Sequence, residues 1–188
     1  MARALAAGVA LFTIGHSNRT AEAFRSILES HEIRGLVDVR RFPTSRRHPH
    51  FARAALESLL ARARIHYRHE PALGGHRDPR PGSPNTTWHE DAFRGYADHM
   101  ASPEFGAALR ALLEAARERP TAVMCAEADP LRCHRQLLAD ALVVAGAQVL
   151  HVVAPDERRP HVLHPAARVG EDGRLTYPAA VTQHRLFG

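Results

Sequence analysis

The chain contains no lysine. All 25 of its basic side chains are arginine, set among 188 residues with 20 acidic groups and a formal net charge of +5. That absence excludes a Walker-type phosphate loop, whose lysine has no substitute here. It also excludes a kinase site built on a strand lysine and Schiff-base chemistry on a side-chain amine. Cysteine is nearly absent as well. Cys125 and Cys133 are too few for a disulfide scaffold, and free thiols in a cytoplasmic protein are expected. No apolar run approaches the roughly 20 residues of a membrane helix, so no membrane association is expected. The stretch from Met1 to Ile14 carries one Arg and an apolar run and weakly resembles an export signal. It passes directly into Thr13-Ile14-Gly15-His16-Ser17, which reads better as a strand and its turn, so export is not expected.

What is present is an ordinary globular balance, with 45% hydrophobic and 24% charged residues, long enough to bury a core. One domain is expected over 1–188, with a core at 9–154 and a C-terminal extension at 155–188. The charge is uneven. Between Arg40 and Arg80 ten Arg face only Glu57, Glu70 and Asp78. Such a segment suits phosphate-bearing ligands or nucleic acid, and equally a solvated basic face. A GC-rich genome accounts for the number of Arg, though not for where they fall.

Short apolar runs alternate with helical patterns. Val9–Gly15, Leu36–Val39, Ile65–Arg68, Ala122–Cys125 and Gln148–Val153 read as strands. Thr20 caps a helix carrying Phe24, Ile27 and Leu28 on one face. A second helix, Ala52–Arg64, is expected to bury Ala55, Leu56, Leu59, Leu60 and Ala63. Trp88–Met100 returns to helical spacing. Ser102-Pro103-Glu104 is a cap, a first-turn proline and an acid, opening a helix to about Arg119. Asp129-Pro130 is expected to open the next helix in the same way, with Leu131, Leu138, Leu142 and Ala145 inward and Cys133 near its first turn. Pro71–Thr87 is loop of a length that more often serves as a lid or binding loop than as a plain connector. Arg168-Val169 and Leu175-Thr176, around Gly170 and Gly173, carry a hairpin signature. The pattern predicts a single α/β, Rossmann-like three-layer domain with a mostly parallel sheet of about five strands and a small C-terminal hairpin. The dinucleotide glycine fingerprint is absent, because Gly74-Gly75 lacks the strand before it and the helix after it.

Ligands of open parallel sheets bind beyond the carboxyl ends of the strands, and polar residues crowd that edge here. His16, Ser17, Asn18 and Arg19 follow the first strand. Asp38, Arg40 and Arg41, then Ser45, Arg46 and Arg47, follow the second. Cys125, Glu127, Asp129, Cys133, His134 and Arg135 follow the fourth. The densest motif is Cys125-Ala-Glu-Ala-Asp-Pro-Leu-Arg-Cys133-His134-Arg135. Helix-end potential and neighbouring Arg both lower a thiol's pKa. Three chemistries fit: a nucleophilic thiolate with Arg holding an anion, a reversible disulfide, or a metal set of Cys133, His134 and Glu127. Two core cysteines with no chemistry are the bland alternative. A phosphatase loop does not fit. Six residues separate Cys125 from Arg132, and two acids and a Pro interrupt what should be a cradle of backbone amides. Zinc is weakly supported, since neither a Cys-x-x-Cys nor a His-x-x-x-His pair lies near the thiols, and no cofactor is expected. In the Asp38–Arg47 motif, Asp38 either orients Arg40 or serves as a base, and Arg forks bind phosphate or carboxylate. Phe42 and Phe51 offer stacking faces for a base, or simply belong to the core.

These motifs together resemble one family. Thr13–Ser17, Val37-Asp38-Val39-Arg40 with Pro43 and Ser45-Arg46, Leu73-Gly74-Gly75, Phe93–Ala97, Met124–Glu127 with Cys133-His134-Arg135, and Arg168–Pro178 are similar to the domain of unknown function 488 family, over roughly Leu11 to Pro178. The resemblance implies a small bacterial or archaeal α/β domain and assigns no reaction.

Three functions follow as expectations. The first is an enzyme acting on an anionic substrate, a nucleotide or nucleic acid. Its catalytic candidates are Asp38, Cys125, Glu127, Cys133 and His134, and its binding candidates are His16, Ser17, Arg40, Ser45, Arg46, Gly74, Gly75 and Arg135. The second is a non-catalytic nucleic-acid-binding module. The third is a thiol redox or metal-binding module.

Overall fold

The computed structural model describes residues 8–179. Residues 1–7, which begin the signal-like stretch, and 180–188, which end the expected C-terminal extension, lie outside the described residues. The helices are Ala21–Ser30 (α1), Arg53–Arg62 (α2), Asp91–His99 (α3), Pro103–Glu118 (α4) and Arg135–Val144 (α5). The strands are Ala10–Gly15 (β1), Gly35–Asp38 (β2), His66–His69 (β3), Thr121–Cys125 (β4), Gln148–Ala154 (β5), Glu157–Pro160 (β6), Arg168–Val169 (β7) and Leu175–Thr176 (β8). Six strands form one sheet in the order β3-β2-β4-β1-β5-β6. The first five strands run parallel, and β6 returns antiparallel against β5. The expected hairpin is β7-β8. No helix among the described residues is long and apolar enough to cross a membrane.

The sheet is covered on both faces, and its central strands are apolar on both sides for that reason. Leu11, Val37, Val123 and Val149 pack with Tyr96, Phe105, Leu112, Leu137 and Leu142 of α3, α4 and α5. Their neighbours Phe12, Ile14, Leu36, Met124 and Val152 pack with Phe24, Leu28, Leu56 and Leu60 of α1 and α2. Period-two alternation along each strand thus feeds two separate cores. The caps form as expected. Thr20 accepts from the Ala23 amide and Ser102 from the Phe105 amide, each at 3.1 Å.

Several local expectations need correction. Strand β6 was not expected, because Glu157-Arg-Arg-Pro160 is exposed throughout and shows no alternation. Helix α3 starts at Asp91 rather than Trp88, whose indole instead stacks on Phe93 at 5.1 Å. Ala55 is exposed, since the buried stripe of α2 is only Leu56, Leu59 and Leu60. Asp129 does cap, accepting from the Leu131 amide at 2.9 Å, but it opens only a 3-10 turn, Pro130–Arg132. Cys133 is extended at φ −138° and ψ 151°, which ends that turn, and α5 begins only at Arg135. Leu131 consequently points outward, 62% exposed. The loop after β3 is tied down: the Asp98 carboxylate accepts from the Arg80 amide, the Ser83 hydroxyl and the Asn85 amide group, at 2.7 to 2.8 Å.

Strands β2, β4 and β1 lie side by side, with Gly15 opposite Cys125 and Asp38 opposite Met124, so three strand ends meet at one edge. The approach there is close. A Cβ on Gly15 would stand 1.8 Å from the Glu127 carbonyl oxygen. Gly15→Ala is expected to cost roughly 3 kcal/mol, since neither backbone can yield without breaking the sheet. Urea unfolding checks this, and an unchanged midpoint would contradict the packing described.

Candidate active site

A cavity of about 970 Å³ opens at this edge. Two loops form one wall by pairing backbone to backbone: the His16 amide donates to the Cys125 carbonyl at 2.9 Å and the Ser17 amide to the Ala126 carbonyl at 3.0 Å. Ser17 takes a left-handed backbone at φ 51° to turn away from β1. That conformation is costly for a residue with a Cβ and is typically retained at functional sites. The His16 ring stacks on Phe51 at 4.3 Å. Its Nδ1–H donates to the Ser17 carbonyl at 2.8 Å, which leaves Nε2 unprotonated, 3.4 Å from Arg40 Nη1.

Arg40 is held rather than free. Its Nε and Nη2 bind the two Asp38 oxygens at 2.9 and 2.6 Å, and Nη2 also reaches the Phe51 carbonyl. Asp38 is fully buried and also accepts from the Tyr67 hydroxyl at 2.9 Å. Tyr67, which the sequence did not single out, has its pKa pushed up by burial and then by Asp38, which keep it protonated as a donor. The Arg-rich loop after β2 forms the second wall. Arg41, Arg46 and Arg47 line the cavity without an ion-pair partner among the described residues, as does Arg132 opposite. Glu90 and Glu127 are the acids at the walls. Ser45 accepts from the His48 amide at 3.0 Å and shapes the loop. Phe51 is core, whereas Phe42 stands 66% exposed at the mouth.

The two thiols lie on the floor. Cys125 ends β4, and the extended Cys133 turns back so that the sulfurs stand 2.9 Å apart. Arg135 lies behind them, fully buried, with Nε 3.0 Å from Cys125 Sγ, Nη1 3.3 Å from Thr13 Oγ1, and Nη2 on the Glu127 and Ala128 carbonyls. His134 Nδ1 is 3.5 Å from Cys133 Sγ. The pair shares one proton unequally. Cys133 is held well below the usual thiol range by the hydrogen bond from Cys125, then by His134 and Arg135. Burial pushes the Cys125 thiol up. The result is a thiolate at Cys133 hydrogen-bonded by a neutral Cys125, which is the form a nucleophile needs. His134 leans on Gly75, where a Cβ would stand 2.9 Å from Nδ1, and its Nε2 is buried with no partner. Tyr96, which the sequence marks only as part of the Phe93–Ala97 motif, packs on the His134 ring at 5.1 Å.

Of the candidates, His16, Ser17, Arg40, Ser45, Arg46, Gly75, Cys125, Glu127, Cys133 and His134 line one cavity. Asp38, Gly74 and Arg135 lie behind its walls. Gly74 is pressed against β2's exit, where a Cβ would stand 2.9 Å from the Val39 carbonyl oxygen. Glu127 presents its carbonyl to Arg135 while its side chain is exposed at the rim. Among the described residues no group of three or more His, Cys, Asp or Glu is placed to hold a metal ion.

Residues 20–142 match the family model described as domain of unknown function DUF488. The match spans well over half of the chain, and the chain belongs to that family. It takes in Asp38, Arg40, Cys125, Cys133 and Arg135, and leaves out His16, Ser17 and the C-terminal hairpin. No curated protein and no solved structure matches the chain.

Two buried histidines give the fold an acid limit. Burial, the dominant cause, lowers both His16 and His151 from 6.5 to about 4. Between those values the unfolded chain binds protons that the folded chain refuses. Stability therefore falls as pH drops through that window and is fully present above it, by on the order of 2 kcal/mol for each histidine. Urea midpoints over this range should fall steadily, and a flat profile would contradict two neutral buried imidazoles.

Proposed function

We propose that the protein is an enzyme that uses the Cys133 thiolate as a nucleophile on an anionic substrate of the nucleotide or nucleic-acid class. The observation that carries this reading is the paired thiols, backed by Arg135, on the floor of a cavity walled by arginines without acidic partners. Arg46 and Arg132 hold the anion, and Arg40 offers it the Nη1 that Asp38 leaves unpaired. Asp38 fixes Arg40 and is spent on that task, which leaves Glu127 as the acid–base group at the rim. Cys133 Sγ forms a bond to the electrophilic atom, and the leaving group departs with its electron pair and takes a proton from Glu127. Water then displaces the sulfur, gives its proton back to Glu127, and restores the thiolate.

The test is protection followed by turnover. Inorganic phosphate, a nucleoside monophosphate and a short single-stranded oligonucleotide are each added before iodoacetamide. The protecting ligand is expected to slow Cys133 alkylation by roughly tenfold at about ten times its Kd, and Cys133→Ser is expected to end its turnover. Protection by none of the three, or turnover unchanged in Cys133→Ser, would overturn the reading.

A second reading, binding of single-stranded nucleic acid without catalysis, is favoured by the exposed Phe42, with Arg41 over its ring and Arg46 and Arg47 lining the same cavity. Base stacking on such a platform is sequence-tolerant. It predicts oligonucleotide binding that weakens steeply with salt and is reduced in Phe42→Ala. Binding insensitive to both would remove it.

A further inference from the structure

A line of buried polar groups, none of which lines the cavity, runs away from the thiols. It begins where Arg135 Nη1 donates to Thr13 Oγ1 at 3.3 Å. Thr13 Oγ1 lies 2.7 Å from His151 Nδ1. His151 Nε2 is 3.0 Å from His161 Nδ1, and His161 Nε2 is 2.7 Å from Asp140 Oδ1. The other Asp140 oxygen accepts from the Tyr177 hydroxyl at 2.8 Å, and the His164 amide donates to Oδ1 at 3.0 Å. Thr13, Arg135, Asp140 and His151 are all buried, Asp140 completely so. The residues come from β1, α5, β5, the stretch after β6 and the end of β8, so no one element accounts for the alignment.

The two ends fix the direction of the terminal hydrogen bonds. A guanidinium only donates and a carboxylate only accepts. Thr13 accepts from Arg135, and with one proton on each imidazole its single hydrogen goes to His151 Nδ1. His151 then carries its proton on Nε2 and gives it to His161 Nδ1. His161 carries its proton on Nε2 and gives it to Asp140. His151 is neutral in this arrangement, in keeping with the burial that lowers it. A buried guanidinium and a buried carboxylate that do not touch are thus joined through an unbroken line of hydrogen bonds. Of the groups holding Arg135, Thr13 is the one whose own orientation this line sets.

We propose that Thr13, His151, His161 and Asp140 are positioning residues that hold the Arg135 guanidinium on the thiol pair. The inference rests on the reading of Cys133 as the working thiolate. None of the four touches substrate. The thiols are also faced by His134 at the start of α5 and by Tyr96 of α3, and Arg19 places a further positive charge near Arg135.

The test is the pH dependence of iodoacetamide alkylation at Cys133, located by mass spectrometry, in the full chain and its variants. Thr13→Val keeps the branched shape and removes both hydrogen bonds. Its midpoint is expected to rise by about one pH unit, with Thr13→Ser restoring the original value. His151→Asn is too short to span both neighbours and is expected to shift the midpoint the same way, which carries the test should Thr13→Val fail to fold. A depressed midpoint in the native protein that stays unmoved in the folded variants, with only their melting temperature lowered, would overturn the relay and leave the thiolate reading standing. An ordinary thiol midpoint in the native protein would overturn both.

Discussion

Asp38→Ala is expected to remove about 3–5 kcal/mol of stability, a large share of what a domain of this size holds. The carboxylate is fully buried and binds Arg40 through both oxygens, with the Arg40 amide on Oδ1 as well. Without it a buried guanidinium keeps only the Phe51 carbonyl and the His16 imidazole as partners, and the Tyr67 hydroxyl loses its acceptor. Desolvating an unpaired cation costs far more than the pair itself contributes. Asp38→Asn should recover part of the loss, because it keeps an acceptor in place. Urea unfolding of the three proteins checks this. A loss below about 1 kcal/mol for the alanine variant would place the pair in solvent-like surroundings and contradict its burial.

Arg135→Met is expected to raise the alkylation midpoint of Cys133 by about two pH units, since the buried guanidinium behind the thiol pair is gone. The methionine fills similar space, so loss of the charge dominates over loss of packing. Arg135→Lys separates charge from geometry. An ammonium group lacks the planar fork that reaches Cys125, Thr13 and the Glu127 and Ala128 carbonyls together. It should fall between the native protein and the methionine variant. A midpoint unmoved in both would leave the Cys125 hydrogen bond and His134 as the whole cause of the Cys133 thiolate.

The parallel sheet and its helices were legible because each central strand is a short apolar run and each of several helices announces its start, as at Thr20 and Ser102. The convergence of His16, Arg40 and Cys125 was legible too, because strand ends of a parallel sheet share one edge. What was not legible depends on contacts between distant residues. Glu157–Pro160 has no pattern of its own and becomes a strand only by pairing with β5. Asp129-Pro130 has the chemistry of a helix start, yet Cys133 leaves the helix to meet Cys125, which local capping cannot foresee. Asp38 and Arg135 read as site groups and lie one layer behind the site, each fixing a neighbour that faces it. Asp140 falls within Leu137-Leu138-Ala139-Asp140-Ala141-Leu142, and its place in a run of buried residues was the signal that it needed a buried partner. That partner, His161, lies 21 residues away.

The most direct test is the alkylation of the native protein itself, with both thiols followed separately by mass spectrometry as pH is raised. Cys133 should react with a midpoint well below the ordinary thiol value of 9.0, while Cys125 stays unreactive until far more alkaline conditions. Two thiols titrating together near 9.0 would contradict the shared proton, the role of Arg135, and with them the nucleophile on which the proposed activity depends.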